Sequence, residues 1–397
     1  MDAYITATAT YLPGDAVAND EMESRLGLVA GKESAFRETI LKYNGIRSRH
    51  YAISRAGHQD HLNDELAARA VDALLRARGL PLSEIGLLAA GTTLPDLVAP
   101  GFASMVHGRL AEYGHAAPLE ILTAGGVCTS GAAVLRHAVN AVCLGAHDRA
   151  IVCASELMSQ IMRGLRFERE SIRTATQSEA PRDYEYFNSE FLRWMLSDGA
   201  GAVLVENQPA PDRPSLRVDW VAMTSYAHML PTCMYIGADN AEAPTPGHTV
   251  WSAATVDDAE AAGMLMLRQD TRLLGKHVVE IIGQELERLI KVGKVDTARS
   301  YDWYLPHISS YFFWPKVADR IRETELVLPD ERWFTNLDRV GNVGSASFYL
   351  MLDEAVRTGL IQPGHRVLAM IPESGRFCVA HVQLTCVPPT PSSNEAP

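Results

Sequence analysis

One stretch of the sequence decides the fold: residues 128–156 read CTSGAAVLRHAVNAVCLGAHDRAIVCASE. Small residues open a helix at its start, and the pattern predicts that this helix continues to about Leu144, where Gly145 ends it. Residues 150–154 are a short continuous apolar run, which is typical of a buried strand. Helices that alternate with buried strands predict an α/β fold with helices on both faces of its sheets.

Similar patterns predict the other elements of the chain. Strands are expected near residues 4–9, 85–90, 119–123, 199–206, 301–305, 367–371 and 379–385. Helices are expected at residues 19–44, 63–78, 258–292 and 344–359. Residues 160–190 are polar and charged, and they predict an excursion over the surface.

The second half of the chain repeats the pattern of the first at a distance of about 200 residues. Thr129-Ser130-Gly131 open a helix that a strand follows, and Gly344-Ser345-Ala346 do the same. The repeat predicts a duplicated α/β unit in which the two helix N-termini face each other across a pseudo-two-fold axis. Cys128 is therefore expected to face the region of Asn342.

Three prolines, at positions 209, 211 and 214, mark the boundary between the predicted halves. We predict one half over residues 1–208 and the other over residues 209–388. Residues 389–397 are rich in proline and serine, and we expect this tail to be disordered.

Composition excludes several classes of function. The 397 residues carry a formal net charge of −12, which argues against nucleic acid or an anionic membrane as the main partner. No apolar run is long enough to cross a membrane, and the N-terminus lacks the basic and apolar regions of a signal peptide. The six cysteines form no CxxC pair, which fits reduced thiols and a cytoplasmic location.

Cys128 is the strongest candidate for chemistry, because it follows a predicted strand in a glycine-rich turn that opens a helix. The helix dipole is expected to lower the pKa of a thiol at this position and to favour the thiolate. The alternative interpretation is a small, buried, inert cysteine, which is the commoner role of a free thiol.

His307 and Asn342 are weaker candidates, each near the expected end of a strand, where α/β sheets place their sites. The alternative for His307 is a ring bonded to a backbone carbonyl, and for Asn342 a turn or N-cap residue. The N–H of Gly375 is a candidate for an oxyanion hole, although a simple β-turn explains this glycine equally well.

The order of these motifs resembles the thiolase superfamily, and most closely its ketoacyl-acyl-carrier-protein synthase III group, over about residues 1–386. The marks of the resemblance are Gly45-Ile46 with Arg47 and Arg49, the Cys128 turn, residues 197–202 (SDGAGA), Pro306-His307 and Gly341-Asn342. It implies a thiolase-like duplicated fold of five layers, αβαβα. It also implies a homodimer without metal or cofactor, for which a coenzyme A or phosphopantetheine thioester is a substrate.

The resemblance also implies roles for individual residues. Cys128 corresponds to the acyl-accepting nucleophile, and His307 and Asn342 to the other members of a Cys-His-Asn triad. Gly375 corresponds to the partner of the Cys128 N–H in the oxyanion hole. Residues expected to bind substrate are Arg47, Arg49, Glu373 and Ser374.

The function implied is Claisen condensation of an acyl group on Cys128 with a second, malonyl or β-ketoacyl, thioester from coenzyme A or a carrier protein. Departures from the usual pattern around Cys128, His307 and Gly375 indicate a secondary-metabolism branch, similar to the enzymes that build alkylresorcinol precursors. If the second thioester is not a malonate, a base must remove an α-proton, and Glu373 or His307 is the candidate. An acyltransferase that passes the group to an alcohol or amine is the first alternative, and a non-catalytic carrier-docking protein is the second.

Overall fold

The computed structural model describes residues 1–168, 182–240 and 245–390. Its strands are β1 (Tyr4–Tyr11), β2 (Val17–Ala18), β3 (Ser48–Arg49), β4 (Leu87–Thr92), β5 (Glu120–Gly125), β6 (Arg149–Glu156), β7 (Gly199–Glu206), β8 (Ser215–Ser225), β9 (Met234–Tyr235), β10 (Arg268–Gln269), β11 (Trp303–Pro306), β12 (Arg366–Glu373) and β13 (Cys378–Val387). Its α-helices are α1 (Met22–Leu26), α2 (Arg37–Asn44), α3 (Asn63–Arg78), α4 (Phe102–Leu110), α5 (Ser130–Cys143), α6 (Arg182–Arg193), α7 (Val256–Ala261), α8 (Thr271–Lys291), α9 (Trp314–Arg322), α10 (Leu337–Val340) and α11 (Ser347–Arg357).

The strand order shows the duplication. Nine strands form one continuous sheet, in which the first half contributes the order β5-β4-β6-β7-β1 and the second half continues from β1 with β8-β13-β12-β11. In the first half β4 and β6 are parallel, whereas β6, β7 and β1 alternate in direction. The second half repeats this, since β11 and β12 are parallel and β12, β13 and β8 alternate. The chain enters the repeated unit again between β7 and β8, although the division at residues 208 and 209 stays a prediction.

Among the described residues, the second half has no counterpart of one strand of the first. In the first half β5 pairs with β4 along its whole length, from Leu87↔Glu120 to Thr92↔Gly125. At the corresponding side of β11 the structure has only an isolated parallel bridge between Tyr304 and Trp333, where the Phe334 N–H donates to the Tyr304 carbonyl at 2.9 Å. The segment that leads to Asn342 is therefore not held by a sheet of its own half.

The helices and sheets form the five predicted layers. Helices α5 and α11 lie in the centre and pack on strands of both halves, and their apolar residues share one core. Helices α3 and α4 cover the outer face of the first half, and α8 and α9 cover that of the second. The central helices meet closely at their N-termini, where the Tyr349 hydroxyl donates to the Gly131 carbonyl at 2.8 Å.

Helix α3 ends at Arg78 as the sequence predicts, with Gly79 in the left-handed conformation after it. Asn63 or Asp64 was expected to cap its N-terminus, but the helix begins at Asn63 and the N-cap residue is Leu62. Its N-terminus is capped from outside the helix, because the Asp96 carboxylate accepts from the N–H groups of Asn63 and Asp64, each at 3.0 Å. Strand β7 has its predicted bounds. Helix α4 and strand β8 were not predicted.

Two predicted long helices are wrong. Residues 19–44 form α1 and α2 instead, because Gly27 and Gly31 between them adopt φ values of 84° and 71°, outside the helical region. Residues 258–292 likewise divide into α7 and α8. Gly263 has a φ of 70°, and Asp270 starts the second helix by accepting from two N–H groups of its first turn.

The surface excursion predicted for residues 160–190 is wrong for the part that the structure describes. Ile161, Met162 and Phe167 are buried in a core that also contains Trp194. Residues 169–181 lie outside the described residues, as do residues 391–397 of the predicted disordered tail. Among the helices within the described ranges, none is long and apolar enough to cross a membrane.

Candidate active site

A cavity lies between the halves and brings together the three residues expected to carry the chemistry, Cys128, His307 and Asn342. Cys128 follows β5 and precedes α5, whereas His307 directly follows β11. Asn342 does not follow a strand, contrary to expectation. It follows the short helix α10, because the strand that would precede it is reduced to the Tyr304–Trp333 bridge.

The Cys128 side chain is almost fully buried, with 9% of its surface exposed. Burial raises the pKa of its thiol well above the ordinary value, and the nearby carboxylates of Glu373 and Glu156 raise it further. The expectation that the helix dipole lowers this pKa is therefore wrong. Desolvation and two neighbouring negative charges outweigh the partial charge of a helix that begins two residues later, at Ser130. Cys128 rests as a neutral thiol.

His307 is held by strand β12, where its backbone N–H donates to the Met370 carbonyl at 2.8 Å. Burial lowers the pKa of its imidazole to about 4, so the ring is neutral at pH 7. Within the described part of the chain, no carbonyl oxygen accepts a hydrogen bond from this ring. The neutral ring is therefore available to exchange a proton with a ligand in the cavity.

Asn342 is fixed by the first half of the molecule. Its carbonyl accepts from the Ser197 N–H at 2.9 Å, and its N–H donates to the Met195 carbonyl at 3.0 Å. Its side-chain Oδ1 accepts from the Gly344 N–H at 2.9 Å. Because this bond occupies the oxygen, the Nδ2 group is the part of the amide that remains to donate to a ligand.

Gly375 lies against the nucleophile loop. A Cβ atom at this position would lie 2.8 Å from the Val127 side chain, so only glycine permits the approach. Its carbonyl accepts from the N–H groups of Cys233 and Met234 at 2.8 and 3.1 Å. These bonds fix the backbone beside Cys128, although the role of the Gly375 N–H stays a prediction.

The neighbouring residues Glu373 and Ser374 were expected to bind substrate. Ser374 lines the cavity. Glu373 ends strand β12, and its carboxylate accepts a hydrogen bond from the Thr129 hydroxyl, one residue after the nucleophile. Glu373 thus connects the second half to the loop that carries Cys128.

The two arginines expected to bind substrate do not line the cavity. The prediction is wrong for Arg49, which is fully buried and donates to the Asn19 side chain and the Trp194 carbonyl, each at 2.5 Å. Burial lowers its pKa to about 10. Arg47 is exposed and forms an ion pair with Asp338. Arg49 is a structural residue, because its guanidinium group donates its hydrogen bonds to other groups of the protein interior.

Sequence reasoning missed Glu156, which lines the same cavity and is fully buried. Burial raises the pKa of its carboxyl to about 7, although hydrogen bonds from Ser345 and Thr93 oppose the rise. The sequence contains a signal for it, since Glu156 is a carboxyl group at the carboxyl end of the apolar strand β6, where such sheets place their sites.

A second cavity adjoins the first. Its lining is largely apolar and includes residues of α2, α6 and α8. Leu274 and Phe313 line both cavities, and they form the wall between them.

Comparison with known proteins confirms the predicted resemblance and fold. Residues 297–375 match the family model of the C-terminal part of 3-oxoacyl-[acyl-carrier-protein] synthase III, and residues 95–210 match that of the N-terminal domain of β-ketoacyl synthases. Similar solved structures include AbyA1, a tetronic acid condensing enzyme. Its TM-score is 0.71 at 18% identity, over 96% of this chain and 99% of that one.

Two further structures have the same fold. The 3-oxoacyl-(acyl carrier protein) synthase III FabH from Pseudomonas aeruginosa PAO1 has a TM-score of 0.68 at 20% identity, over 98% of this chain and 99% of that one. A variant of OleA from Xanthomonas campestris, with lauric acid and lauroyl-CoA bound, has a TM-score of 0.70 at 18% identity, over 97% and 99% of the two chains.

Proposed function

For a chain that has the thiolase-like fold and matches the ketoacyl synthase family models, we propose a ketosynthase III-like condensing enzyme that works through an acyl-Cys128 intermediate. The matched family models are those of condensing, acyl-transferring enzymes. One observation carries the assignment to this site: a buried thiol, a neutral imidazole and an oriented amide line a single cavity between the halves.

The first half-reaction acylates Cys128. Because the thiol rests neutral, a base must take its proton during attack on the thioester, and neutral His307 is the group suited to this step. The N–H groups of Cys128 and Gly375 stabilise the oxyanion, and the loss of one such donor costs about 2.7–4 kcal/mol. The thiol of coenzyme A or of a carrier protein leaves with the proton.

The second half-reaction joins two acyl groups. The carbonyl oxygen of a second thioester accepts hydrogen bonds from Asn342 Nδ2 and from His307, and these bonds stabilise its enolate. The enolate forms when a malonyl unit loses carbon dioxide or when another acyl thioester loses an α-proton. Its carbon bonds to the acyl carbon on Cys128, the carbon–sulfur bond breaks, and the Cys128 thiolate takes up a proton as the β-ketoacyl thioester leaves. The two substrates bind in succession, so ping-pong kinetics are expected.

The lining of the cavity supports an aliphatic acyl group. Its walls are formed mainly by leucine, isoleucine, valine, methionine and phenylalanine side chains. The pattern around Cys128 and Gly375 departs from that of housekeeping synthases, and we place the reaction in secondary metabolism. The cytoplasmic location and the independence from metals and cofactors stay predictions.

We also propose that the enzyme is a homodimer. Strand β5 is the last strand of its sheet, so its outer edge has no partner strand within the described residues. Ile121 on this strand is 41% exposed. A second copy pairing along β5 would cover this edge. Light scattering should give twice the mass of the chain, and Ile121→Lys should weaken the association.

The experiment that tests the function is intact mass spectrometry. The protein is incubated with acyl thioesters of coenzyme A and of a carrier protein, and Cys128→Ala is the control. We expect an acyl adduct on the wild type only. The absence of any adduct on folded wild type would overturn the assignment of Cys128.

A second substrate then identifies the reaction. Malonyl, acyl and β-ketoacyl thioesters, alcohols and amines are added separately to the acyl-enzyme. A carbon-joined thioester is the expected product. An ester or amide would show an acyltransferase instead.

A further inference from the structure

Glu156 is the buried acid of the cavity that the scheme above leaves without a role. It ends strand β6 and lines the cavity together with Cys128, His307 and Asn342. The Glu156 side chain has no exposed surface. Burying a carboxylate costs free energy unless hydrogen bonds satisfy its oxygens or the group takes up a proton.

The hydrogen bonds of Glu156 are uneven between its two oxygens. Oε1 accepts from the Ser345 N–H at 3.0 Å, from the Ser345 hydroxyl at 2.6 Å and from the Thr93 hydroxyl at 2.7 Å. The Thr93 N–H lies 3.2 Å from both oxygens, and in the described part of the chain it is the only donor within reach of Oε2. Oε1 therefore positions the group, and Oε2 keeps capacity to take a proton.

This positioning joins the two halves. Thr93 follows β4 in the first half, and Ser345 lies beside Asn342 in the second. A Cβ atom on Gly344 would lie 2.9 Å from Oε1, so the glycine permits the close approach of the Asn342 loop. Residues 342–345 thus fix the position of the Glu156 carboxyl group and also contain Asn342, whose amide is proposed to stabilise the enolate.

The charges of the cavity favour a neutral second substrate. Its lining, all of it within the described residues, contains no lysine or arginine. Glu156 and Glu373 both lie close enough to Cys128 to raise the pKa of its thiol. A malonyl carboxylate would therefore enter beside Glu156 without a lysine or arginine of the lining to pair with, whereas an uncharged acyl chain fits the apolar walls.

We propose that Glu156 is the base that removes the α-proton of the second substrate, and that this substrate is an uncharged acyl thioester. The inference rests on the proposed function. The Glu156 carboxyl has a pKa of about 7, which suits a group that takes and returns a proton at neutral pH.

The step balances without another reactant. The α-carbon–hydrogen bond breaks, the proton goes to Glu156 Oε2, and the electron pair forms the enolate held by His307 and Asn342. The enolate carbon bonds to the acyl carbon on Cys128, and the carbon–sulfur bond breaks. The Cys128 thiolate then takes the proton from Glu156, which restores both groups.

Glu156→Gln tests the inference with three readouts. It should acylate Cys128 at a rate within about threefold of wild type, since the first half-reaction does not use this carboxyl. It should lose acyl–acyl condensation by about 100-fold or more. It should also stop the exchange of α-deuterium from a dideuterated acyl thioester into water.

Two further variants keep the test decisive. Glu285→Gln neutralises another buried carboxylate, which accepts hydrogen bonds from the Thr224 and Tyr226 hydroxyls and does not line the cavity. This variant should retain the exchange of α-deuterium. Glu156→Asp keeps a carboxyl group on a shorter side chain. It should show part of the α-deuterium exchange that Glu156→Gln has lost, and a folding defect would not explain this difference.

Three results would overturn the inference. These are acyl–acyl condensation that persists in Glu156→Gln, loss of exchange in Glu373→Gln instead, or a wild type that condenses only malonyl thioesters. A wild type that forms no acyl-Cys128 would refute the proposed function itself, and the mass spectrum distinguishes that failure from the others.

Discussion

The two halves of the molecule have one strand order but contribute different chemistry to the cavity. The first half delivers a thiol from the loop between β5 and α5 and a carboxyl group from the end of β6. The second delivers an imidazole from the end of β11 and an amide from the loop before α11. The duplicated fold places the loops of the two halves opposite each other, and the different side chains on these loops provide the chemical groups of the site.

The missing strand of the second half has a structural consequence. In the first half, β5 fixes the start of the Cys128 loop through its pairing with β4. In the second half, the Asn342 loop is fixed instead by the Ser197 and Met195 backbone of the first. The site is therefore assembled across the halves and would not form in either alone.

The largest effect should come from Asn342→Ala, which removes the Nδ2 group of the second half that is proposed to donate to the enolate oxygen. Condensation should fall by about 100- to 1,000-fold, because one hydrogen bond to the developing enolate is lost. Acylation of Cys128 should change little. Single-turnover mass spectrometry measures the acylation rate and product release measures condensation, with Asn336→Ala as the control. An equal loss in both rates would contradict a separate task for this amide.

The halves should respond to pH with opposite sign. Burial raises the pKa of Glu156 from 4.5 to about 7, so the native state binds the extra proton and the free energy of unfolding falls as pH rises across this interval. The fall attributable to Glu156 is on the order of 3 kcal/mol. Burial lowers the pKa of His307 from 6.5 to about 4, so its contribution is lost as pH falls through that range.

Denaturant unfolding between pH 4 and pH 8 measures these contributions. Relative to wild type, Glu156→Gln should gain stability as pH rises, and His307→Gln should gain it as pH falls. Differences that do not vary with pH would show that neither group has a shifted pKa.

A smaller effect is expected where the central helices of the two halves meet. In Gly131→Ala the new Cβ atom would lie 2.4 Å from the Ser345 carbonyl oxygen, a backbone atom that cannot move aside alone. The free energy of unfolding should fall by about 1–3 kcal/mol. Gly108→Ala is the matched control, because this helical glycine has open space around it and should gain up to about 1 kcal/mol. Equal stability of the two variants would refute a tight contact between the halves.

The smallest effect should come from the wall between the two cavities. Phe313→Ala joins the cavities and should shift the preferred acyl chain to a greater length, since each buried methylene contributes about 0.8 kcal/mol. Acylation rates for thioesters of increasing chain length measure the shift. Phe312→Ala, which changes the second cavity only, should leave the preference unchanged. An unchanged preference in both variants would show that the second cavity takes no acyl chain.

Much of this arrangement could be predicted from local sequence. The strand at residues 199–206 has its predicted bounds and the helix that starts at Asn63 has its predicted end at Arg78, because periodicity and end signals are local properties. The repeat of about 200 residues predicted that Cys128 and Asn342 face one cavity, and they do. The long helices at residues 19–44 and 258–292 were wrong, because glycines with positive φ interrupt them.

The rest depends on contacts between residues distant in sequence. Nothing near Arg49 in sequence shows that its guanidinium bonds to the Trp194 carbonyl, and nothing near Glu156 shows that Ser345 holds it. Predicted charge states failed for the same reason, since the Cys128 pKa is set by burial and by two carboxylates, one of them from the other half.

The sequence alone indicated the class of fold and the duplication, because these have local patterns that repeat along the chain. The order of its motifs indicated the three side chains Cys128, His307 and Asn342 through the family resemblance. Only the tertiary structure decided which groups are charged and which face a substrate. Desolvation and hydrogen bonding depend on what the folded chain packs around a group, and for Glu156 the deciding partner lies 189 residues away.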